Sequence, residues 1–408
     1  MRILICHNFY QQGGGEDQVF AAEADLLRRY GHDVETYAVH NDEIAGMGKI
    51  ALAGATIWNR KAAGEVSSRA RKHRAQIVHF HNTFPLLSPA VYWAARNQGA
   101  AVVQTLHNYR LICPAATMFR EGKPCEECLG RLPLPAIAHA CYRDSRIASA
   151  AATAMLSAHR MLGTYCHAVD AYIVLTKFAA DKFIQAGFAP ESIHLKPNFI
   201  DPDPGAGLGD GGFALFVGRL TPEKGIQPML AAWRIIAQAL PLKICGDGPL
   251  GDVVAAEPGV EWLGRRPFPE IIELMGRATV LVFPSLWYEG FPRTIVESLA
   301  RGTPVAASDL GSMTELIVAG KTGVLFRPGD AQDMAQKILH LVGNGPELSA
   351  LRPKCRQEFL DRYNAAENHS RMMEIYNMAL ARRADSTGAR AAAEEADVDS
   401  RADGLAAG

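Results

Sequence analysis

The sequence predicts an α/β protein built as two doubly wound domains with a cleft between them. Three observations carry that expectation. The chain is 408 residues long, more than one hydrophobic core ordinarily holds. Short β-rich runs alternate with helical patterns along it, the signature of parallel sheets covered by helices. The alternation breaks at 201–212, Asp-Pro-Asp-Pro-Gly-Ala-Gly-Leu-Gly-Asp-Gly-Gly, which is the clearest linker in the chain.

The elements follow in order. Strands are expected at 2–6, 33–39, 76–80, 101–105, 171–175 and 192–196, within a first domain spanning 1–200. After the linker come 213–217, 242–245, 260–263, 279–283, 304–307 and 323–326, within a second domain spanning 213–362. Sheets of this kind bind ligands beyond the C-terminal ends of their strands. The stretch 333–383 reads as largely helical. Residues 384–408 are rich in Ala, Asp, Glu and Gly and carry only Val398 and Leu405 as large aliphatics, so a disordered tail is expected there.

Composition removes several function classes. Apolar content of 48% and charged content of 21% are those of a globular protein. Lys+Arg 42 against Asp+Glu 43 leaves a net charge of −1, so no global field favours nucleic acid. The opening Met1-Arg2-Ile3-Leu4-Ile5-Cys6 is too short an apolar run for a signal peptide, and the Ala-rich 148–158 is far short of a membrane span. Eight cysteines without a secretion signal point to a reducing, cytoplasmic setting.

The chemistry concentrates at 283–300, Phe-Pro-Ser-Leu-Trp-Tyr-Glu-Gly-Phe-Pro-Arg-Thr-Ile-Val-Glu-Ser-Leu-Ala. A strand ends, a short loop follows, and a helix begins with Pro292 in its first turn, where a missing N–H costs nothing. Glu289 and Glu297 bracket that start. Their spacing would be roughly 12 Å along a continuous helix, too far to share a proton or a metal but suited to gripping two hydroxyl-bearing groups. Between them the amides of Gly290, Phe291, Arg293 and Thr294, at the positive end of the helix, make an anion site. Hydroxyls at both ends and phosphate in the middle describe a nucleotide sugar.

This arrangement resembles the Glu-x7-Glu signature of family 4 glycosyltransferases, and matching segments extend across most of the chain. The resemblance implies the GT-B fold, two Rossmann-like domains facing across a cleft, with a C-terminal helix (363–383) returning to the N-terminal domain. Gly218-Arg219-Leu-Thr-Pro-Glu-Lys224-Gly225 is similar to the family's Gly-Arg-Leu…Glu-Lys-Gly motif, which places Arg219 and Lys224 on the donor diphosphate. Gly13-Gly14-Gly15-Glu16 opens a helix after the first strand; in the family this loop lies near the donor phosphates and the acceptor. His107, in Thr105-Leu-His-Asn108-Tyr, occupies the place of a histidine close to the transferred sugar. Asn108 and His81 are expected on the acceptor side and His79 in the structure. Gly246, in Gly-Asp-Gly-Pro, and Arg266, in Leu-Gly-Arg-Arg, match turns beneath the nucleotide and beside its base. Lys196-Pro-Asn198 is similar to an interdomain segment of the family.

Two features stand apart. Cys125-Glu-Glu-Cys128 has thiolate-site spacing, and Cys113 and Cys141 could complete a structural zinc site within an insertion at about 109–145; free thiols are the alternative. Residues 60–74 carry Arg60, Lys61, Arg69, Arg71, Lys72 and Arg74, either a solvated helix face or a contact with the anionic inner membrane.

The resulting expectation is a retaining, metal-independent hexosyltransferase that requires no cofactor. It would move a sugar from a UDP- or GDP-hexose to a glycan or lipid-linked acceptor, as in bacterial polysaccharide or cell-envelope glycan biosynthesis. No Asp-x-Asp pair is placed to hold a metal under the diphosphate. The rivals are a nucleotide-sugar epimerase on the same frame and a catalytically dead zinc-binding scaffold.

Overall fold

The computed structural model describes residues 1–236 and 239–406. The first sheet holds β1 (Arg2–Phe9), β2 (Asp33–His40), β3 (Ile77–Phe80), β4 (Ala101–Leu106), β5 (Ala171–Val174) and β6 (Ile193–Leu195). Its strands are all parallel, in the order β2-β1-β3-β4-β5-β6. The second holds β7 (Ala214–Val217), β8 (Leu242–Cys245), β9 (Val260–Gly264), β10 (Val280–Phe283), β11 (Val305–Ser308) and β12 (Gly323–Phe326). It is also parallel, in the order β9-β8-β7-β10-β11-β12. Every strand read from the sequence is present, and β1 runs on to Phe9.

Helices cover both faces of each sheet, so the central strands are apolar on both sides rather than alternating. Ile3, Leu4, Ile5 and Cys6 of β1 are all fully buried, as are Val280, Leu281 and Val282 of β10. Strand order reverses between β1 and β3 in the first sheet and between β7 and β10 in the second. Loops that follow such neighbours diverge and leave a crevice at the strand C-termini. Both crevices therefore sit where the motif-bearing loops are. The turn after β7 needs glycine at a second point of approach: at Gly246 (φ +144°) a Cβ would lie 1.9 Å from the Gly218 carbonyl oxygen.

Three helices position the site: α1 (Gly15–Arg29), α2 (Arg293–Ala300) and α3 (Ala365–Ala406). Met372, Ile375, Tyr376 and Ala379, spaced along one face of α3, join Ile3, Ile5, Ile77, Val103 and Ile173 in a single core. The last helix thus closes one face of the first sheet, and the Tyr376 hydroxyl reaches His79 Nδ1 at 2.8 Å. Helix α3 continues through Ala406, where a disordered tail was expected from 384; residues 407–408 lie outside the described residues. Alanine, arginine and glutamate have high helix propensity, and extending an existing helix avoids the cost of nucleation. A segment that can build no core can still prolong a helix.

The 201–212 segment is laid along the second domain. The amides of Gly207, Gly209 and Gly211 donate to the carbonyls of Arg301, Gly276 and Arg277 at 2.8–2.9 Å. Met372→Ala should destabilise the folded chain by about 2–5 kcal/mol, read from denaturant unfolding. An unchanged midpoint would show that α3 contributes nothing to the first domain's core.

Candidate active site in the interdomain cleft

A cleft of about 730 Å³ opens between the two sets of strand C-termini. The first domain lines it with Gly14, Gly15, Glu16, His107 and Asn108, and the second with Arg219, Lys224, Glu289, Gly290, Phe291 and Arg293. Eleven positions singled out from sequence, scattered over 280 residues, meet in one cavity.

Glu289 is the most constrained of them. It lies within the loop between β10 and α2 and is 7% exposed. Lys224 Nζ and Ser285 Oγ both donate to its Oε1 at 2.6 Å. Its backbone carbonyl accepts from Ser312 Oγ at 2.9 Å and from the Tyr109 hydroxyl, across the cleft, at 3.4 Å. Burial alone would raise this carboxyl, but the Lys224 ammonium and the hydrogen bonds from Lys224 and Ser285 outweigh it and hold the group below its usual range. Glu289 is thus an ionised acceptor with a second oxygen left for a ligand. Arg219 is exposed, lines the cleft, and has no ion-pair partner among the described residues.

The next residue, Gly290, is where the domains touch. A Cβ there would lie 2.3 Å from the carbonyl oxygen of His107. Any other side chain would wedge the domains apart.

On the opposite wall, Glu16 sits in the first turn of α1. Asn108 Nδ2 is 3.4 Å from its Oε2, while Oε1 is buried without a partner. Burial and the adjacent Asp17 push its carboxyl up to about 8, against the smaller opposing effects of Asn108 and Arg110. Arg293 spans the gap, with Nη1 3.5 Å from the Gly15 carbonyl and Nη2 3.6 Å from Glu297.

Behind His107 lies a buried polar network. His107 Nε2 and His81 Nδ1 are 3.0 Å apart, and His81 Nε2 faces Glu23 Oε2 at 3.4 Å. Glu23 pairs through Oε1 with the fully buried Lys196, which also lies 3.5 Å from Asn368 Oδ1. His79 spends one nitrogen on Thr105 Oγ1 (2.7 Å) and the other on the Tyr376 hydroxyl. It is structural, as expected. Glu23, His79 and His81 alone among the described residues bring three ligand atoms within 4.8 Å of one another. They make a poor cation site, because both nitrogens of His79 are engaged and the Lys196 ammonium already neutralises Glu23.

Several expected site residues do not line this cavity itself. His81 lies one layer behind it, because β3 turns its side chain toward α1. Pro292 is the residue before α2 rather than in its first turn, with an extended ψ of 91°; the helix starts at Arg293. Thr294 and Glu297 sit deeper in α2, where burial pushes the Glu297 carboxyl up against the pull of Arg293. Gly246 is packed on the Gly218 backbone, and Arg266 stands near Glu270 at 3.7 Å. The linker carboxylates of Asp201-Pro-Asp203 are taken by Arg29 and Arg356.

Cys113, Cys125, Cys128 and Cys141 line one small cavity as free thiols. No three of them lie within 4.8 Å of one another, whereas a zinc tetrahedron with Zn–S of about 2.3 Å needs sulfur atoms at roughly 3.8 Å. The residues as placed do not fit a zinc ion. The insertion instead serves the cleft, to which it contributes Ala116, Thr117 and Arg143. The basic stretch is a helix, Arg60–His73, with Ala62, Val66 and Ala70 buried and Arg69 paired with Glu35 at 2.7 Å.

Sequence reasoning missed Ser285, Trp287, Tyr109 and Ser312. The first three sit within four residues of positions that were selected, so adjacency was their available signal. Ser312 had none, since its role depends on how the β11 loop folds back.

Glu16 yields a pH prediction. Its carboxyl titrates higher when folded than when unfolded, so it costs stability progressively as pH rises from about 4.5 toward 8. Glu16→Gln removes that cost. The melting temperature of the variant relative to wild type should rise from pH 5 to pH 8; a flat difference would contradict the buried placement.

Two family models match the chain: Glycosyltransferase Family 4 over residues 13–204 and Glycosyl transferases group 1 over residues 212–344. An uncharacterised glycosyltransferase of Methanocaldococcus jannaschii is 35% identical over 33% of this chain and 40% of its own length. The alpha-maltose-1-phosphate synthase of Mycolicibacterium smegmatis is 27% identical over 52% of this chain and 64% of its own length. These first two matches span less than two thirds of the relatives' own lengths. The 2-deoxystreptamine glucosyltransferase of Streptomyces kanamyceticus is 28% identical over 72% and 76%. Among solved structures, HepE of Anabaena in complex with UDP superposes with a TM-score of 0.65 at 18% identity, over 92% of this chain and 99% of that one. Sucrose-phosphate synthase of Thermosynechococcus elongatus gives 0.68 at 15%, over 93% and 100%. With two parallel-sheet domains and motif loops meeting in the cleft between them, the chain belongs to the group 1, family 4 type of GT-B glycosyltransferases.

Proposed function

We propose that this protein transfers a hexose from a UDP- or GDP-hexose to a glycan or lipid-linked acceptor, with retention of anomeric configuration and without a metal ion, in polysaccharide or cell-envelope glycan biosynthesis. The observation that carries the reading is the Glu289–Lys224–Ser285 cluster, an ionised carboxylate that shares a cleft of about 730 Å³ with His107. HepE structures that hold UDP, UDP with glucose, and UDP-glucose on the same fold support it.

In this reading Glu289 holds a sugar hydroxyl, Glu297 the ribose diol, and Arg219 and Lys224 the diphosphate. The C1–O bond to phosphate breaks and its electron pair leaves with the nucleoside diphosphate, whose charge the two cations offset. The acceptor oxygen bonds to C1 from the same face, and its proton passes to the departing phosphate oxygen. Lys224 starts on Glu289, so donor binding must divide its hydrogen bonds between carboxylate and phosphate. No helix of the described residues is long and apolar enough to cross a membrane. We assign the exposed Arg60, Lys61, Arg71, Lys72 and Arg74 to peripheral contact with the cytoplasmic face of the bilayer, where a lipid-linked acceptor would be met.

The test is transfer from a panel of UDP- and GDP-hexoses in EDTA, with the anomeric configuration of the product read by NMR. Retained configuration and loss of about 10²–10³-fold in kcat for Lys224→Ala and Glu289→Ala are expected. An inverted product, a metal requirement, or no turnover of any donor by folded protein would overturn the reading.

A further inference from the structure

The histidine network beneath the cleft does more than fill space. His107 lines the cleft, and among the described residues the only side-chain hydrogen bond it makes runs from Nε2 to His81 Nδ1 at 3.0 Å. A neutral imidazole carries one N–H, so the partner on one nitrogen decides what the other can do. Both rings are held neutral, because burial and the neighbouring cationic groups keep them well below the usual histidine value.

The direction of the bond is set from below. His81 Nε2 lies 3.4 Å from Glu23 Oε2, a charge contact not aligned as a hydrogen bond, and neither atom has a hydrogen-bond partner among the described residues. A carboxylate oxygen this close favours an N–H over a lone pair on the nitrogen that faces it, which puts the His81 proton on Nε2. Glu23 is held there by Lys196, and both are fully buried. Lys196 is steadied in turn by Asn368 of α3, whose Nδ2 donates to the Pro197 carbonyl at 2.9 Å. With its proton on Nε2, His81 offers a bare Nδ1, which can only accept. His107 must therefore donate from Nε2, leaving its own Nδ1 without a proton.

We propose that His81 is a positioning residue: anchored by the Glu23–Lys196 pair, it fixes His107 in the Nε2–H tautomer and presents the bare Nδ1 to the cleft as an acceptor for a hydroxyl of the transferred sugar. This rests on the transferase reading for the identity of the ligand, but the tautomer itself does not. A donor lacking a hydroxyl at that point leaves a buried acceptor unpaired, which makes the position specificity-determining.

The first measurement needs no variant at His81. Long-range proton–nitrogen NMR of protein labelled at histidine nitrogen, with the His107 signals assigned by their loss in His107→Gln, should give a protonated Nε2 and an unprotonated Nδ1. A protonated Nδ1 overturns the proposal whether or not the protein transfers sugar. The second compares two substitutions at His81. The Asn Oδ1 lies near the place of His Nδ1 and can accept from His107, whereas Leu cannot. His81→Asn should keep kcat within about fivefold of wild type, while His81→Leu should lose tenfold or more in kcat with little change in nucleotide affinity and return a mixed His107 tautomer. Equal losses in both, tracking their melting temperatures, would reduce His81 to a core residue. Wild-type protein without any transfer activity, but with the expected tautomer, would count against the transferase reading alone.

Discussion

The site depends on one buried carboxylate kept charged where two domains meet. Glu289 cannot rest ionised at 7% exposure without compensation, since an unpaired buried charge costs several kcal/mol. Lys224 and Ser285 supply it from the second domain, while Tyr109 of the first domain and Ser312 fix the backbone that carries the side chain. The pair is only half-satisfying, because Oε2 and two of the Lys224 protons remain for something else. A fully satisfied ion pair would be a strut. This one is a socket.

The contacts around that socket bring the domains together. Gly290 lets the His107 carbonyl come within van der Waals reach, and Glu315 of the second domain accepts from the Lys177 and Phe178 amides at the start of a first-domain helix. Tyr288 stacks on Phe178 with ring centroids 4.7 Å apart. None of these is a large apolar surface, so the join can hinge while its geometry stays defined. The buried histidine network belongs to the first domain and α3 alone. It can hold His107 in one orientation whether the cleft is open or closed.

Much of this was legible in the sequence, and for stated reasons. Parallel strands buried on both faces read as apolar runs, so all twelve could be placed; the Glu-Gly-Phe-Pro helix start and Gly-Arg-Leu…Lys-Gly turn are local patterns whose chemistry is carried by adjacent residues. What failed was whatever depended on a third dimension. His81 and His107 are alike in composition and strand-end placement, yet one is a layer behind the other. Gly246 packs on a backbone 28 residues earlier, a contact that local pattern does not reveal. The four cysteines have plausible spacing and meet at one small cavity, but spacing does not set Sγ separation, and no three of them come within 4.8 Å of one another.

Hydrogen–deuterium exchange with and without UDP and GDP tests the central claim most directly, since it reads both walls of the cleft at once. The account predicts that one of the two nucleotides slows exchange at 218–225 and 287–297 in the second domain, and that adding the matching hexose extends protection to 10–16 and 107–110 in the first. Protection confined to one domain with the complete donor bound, or located away from these loops, would contradict a donor site shared across the cleft.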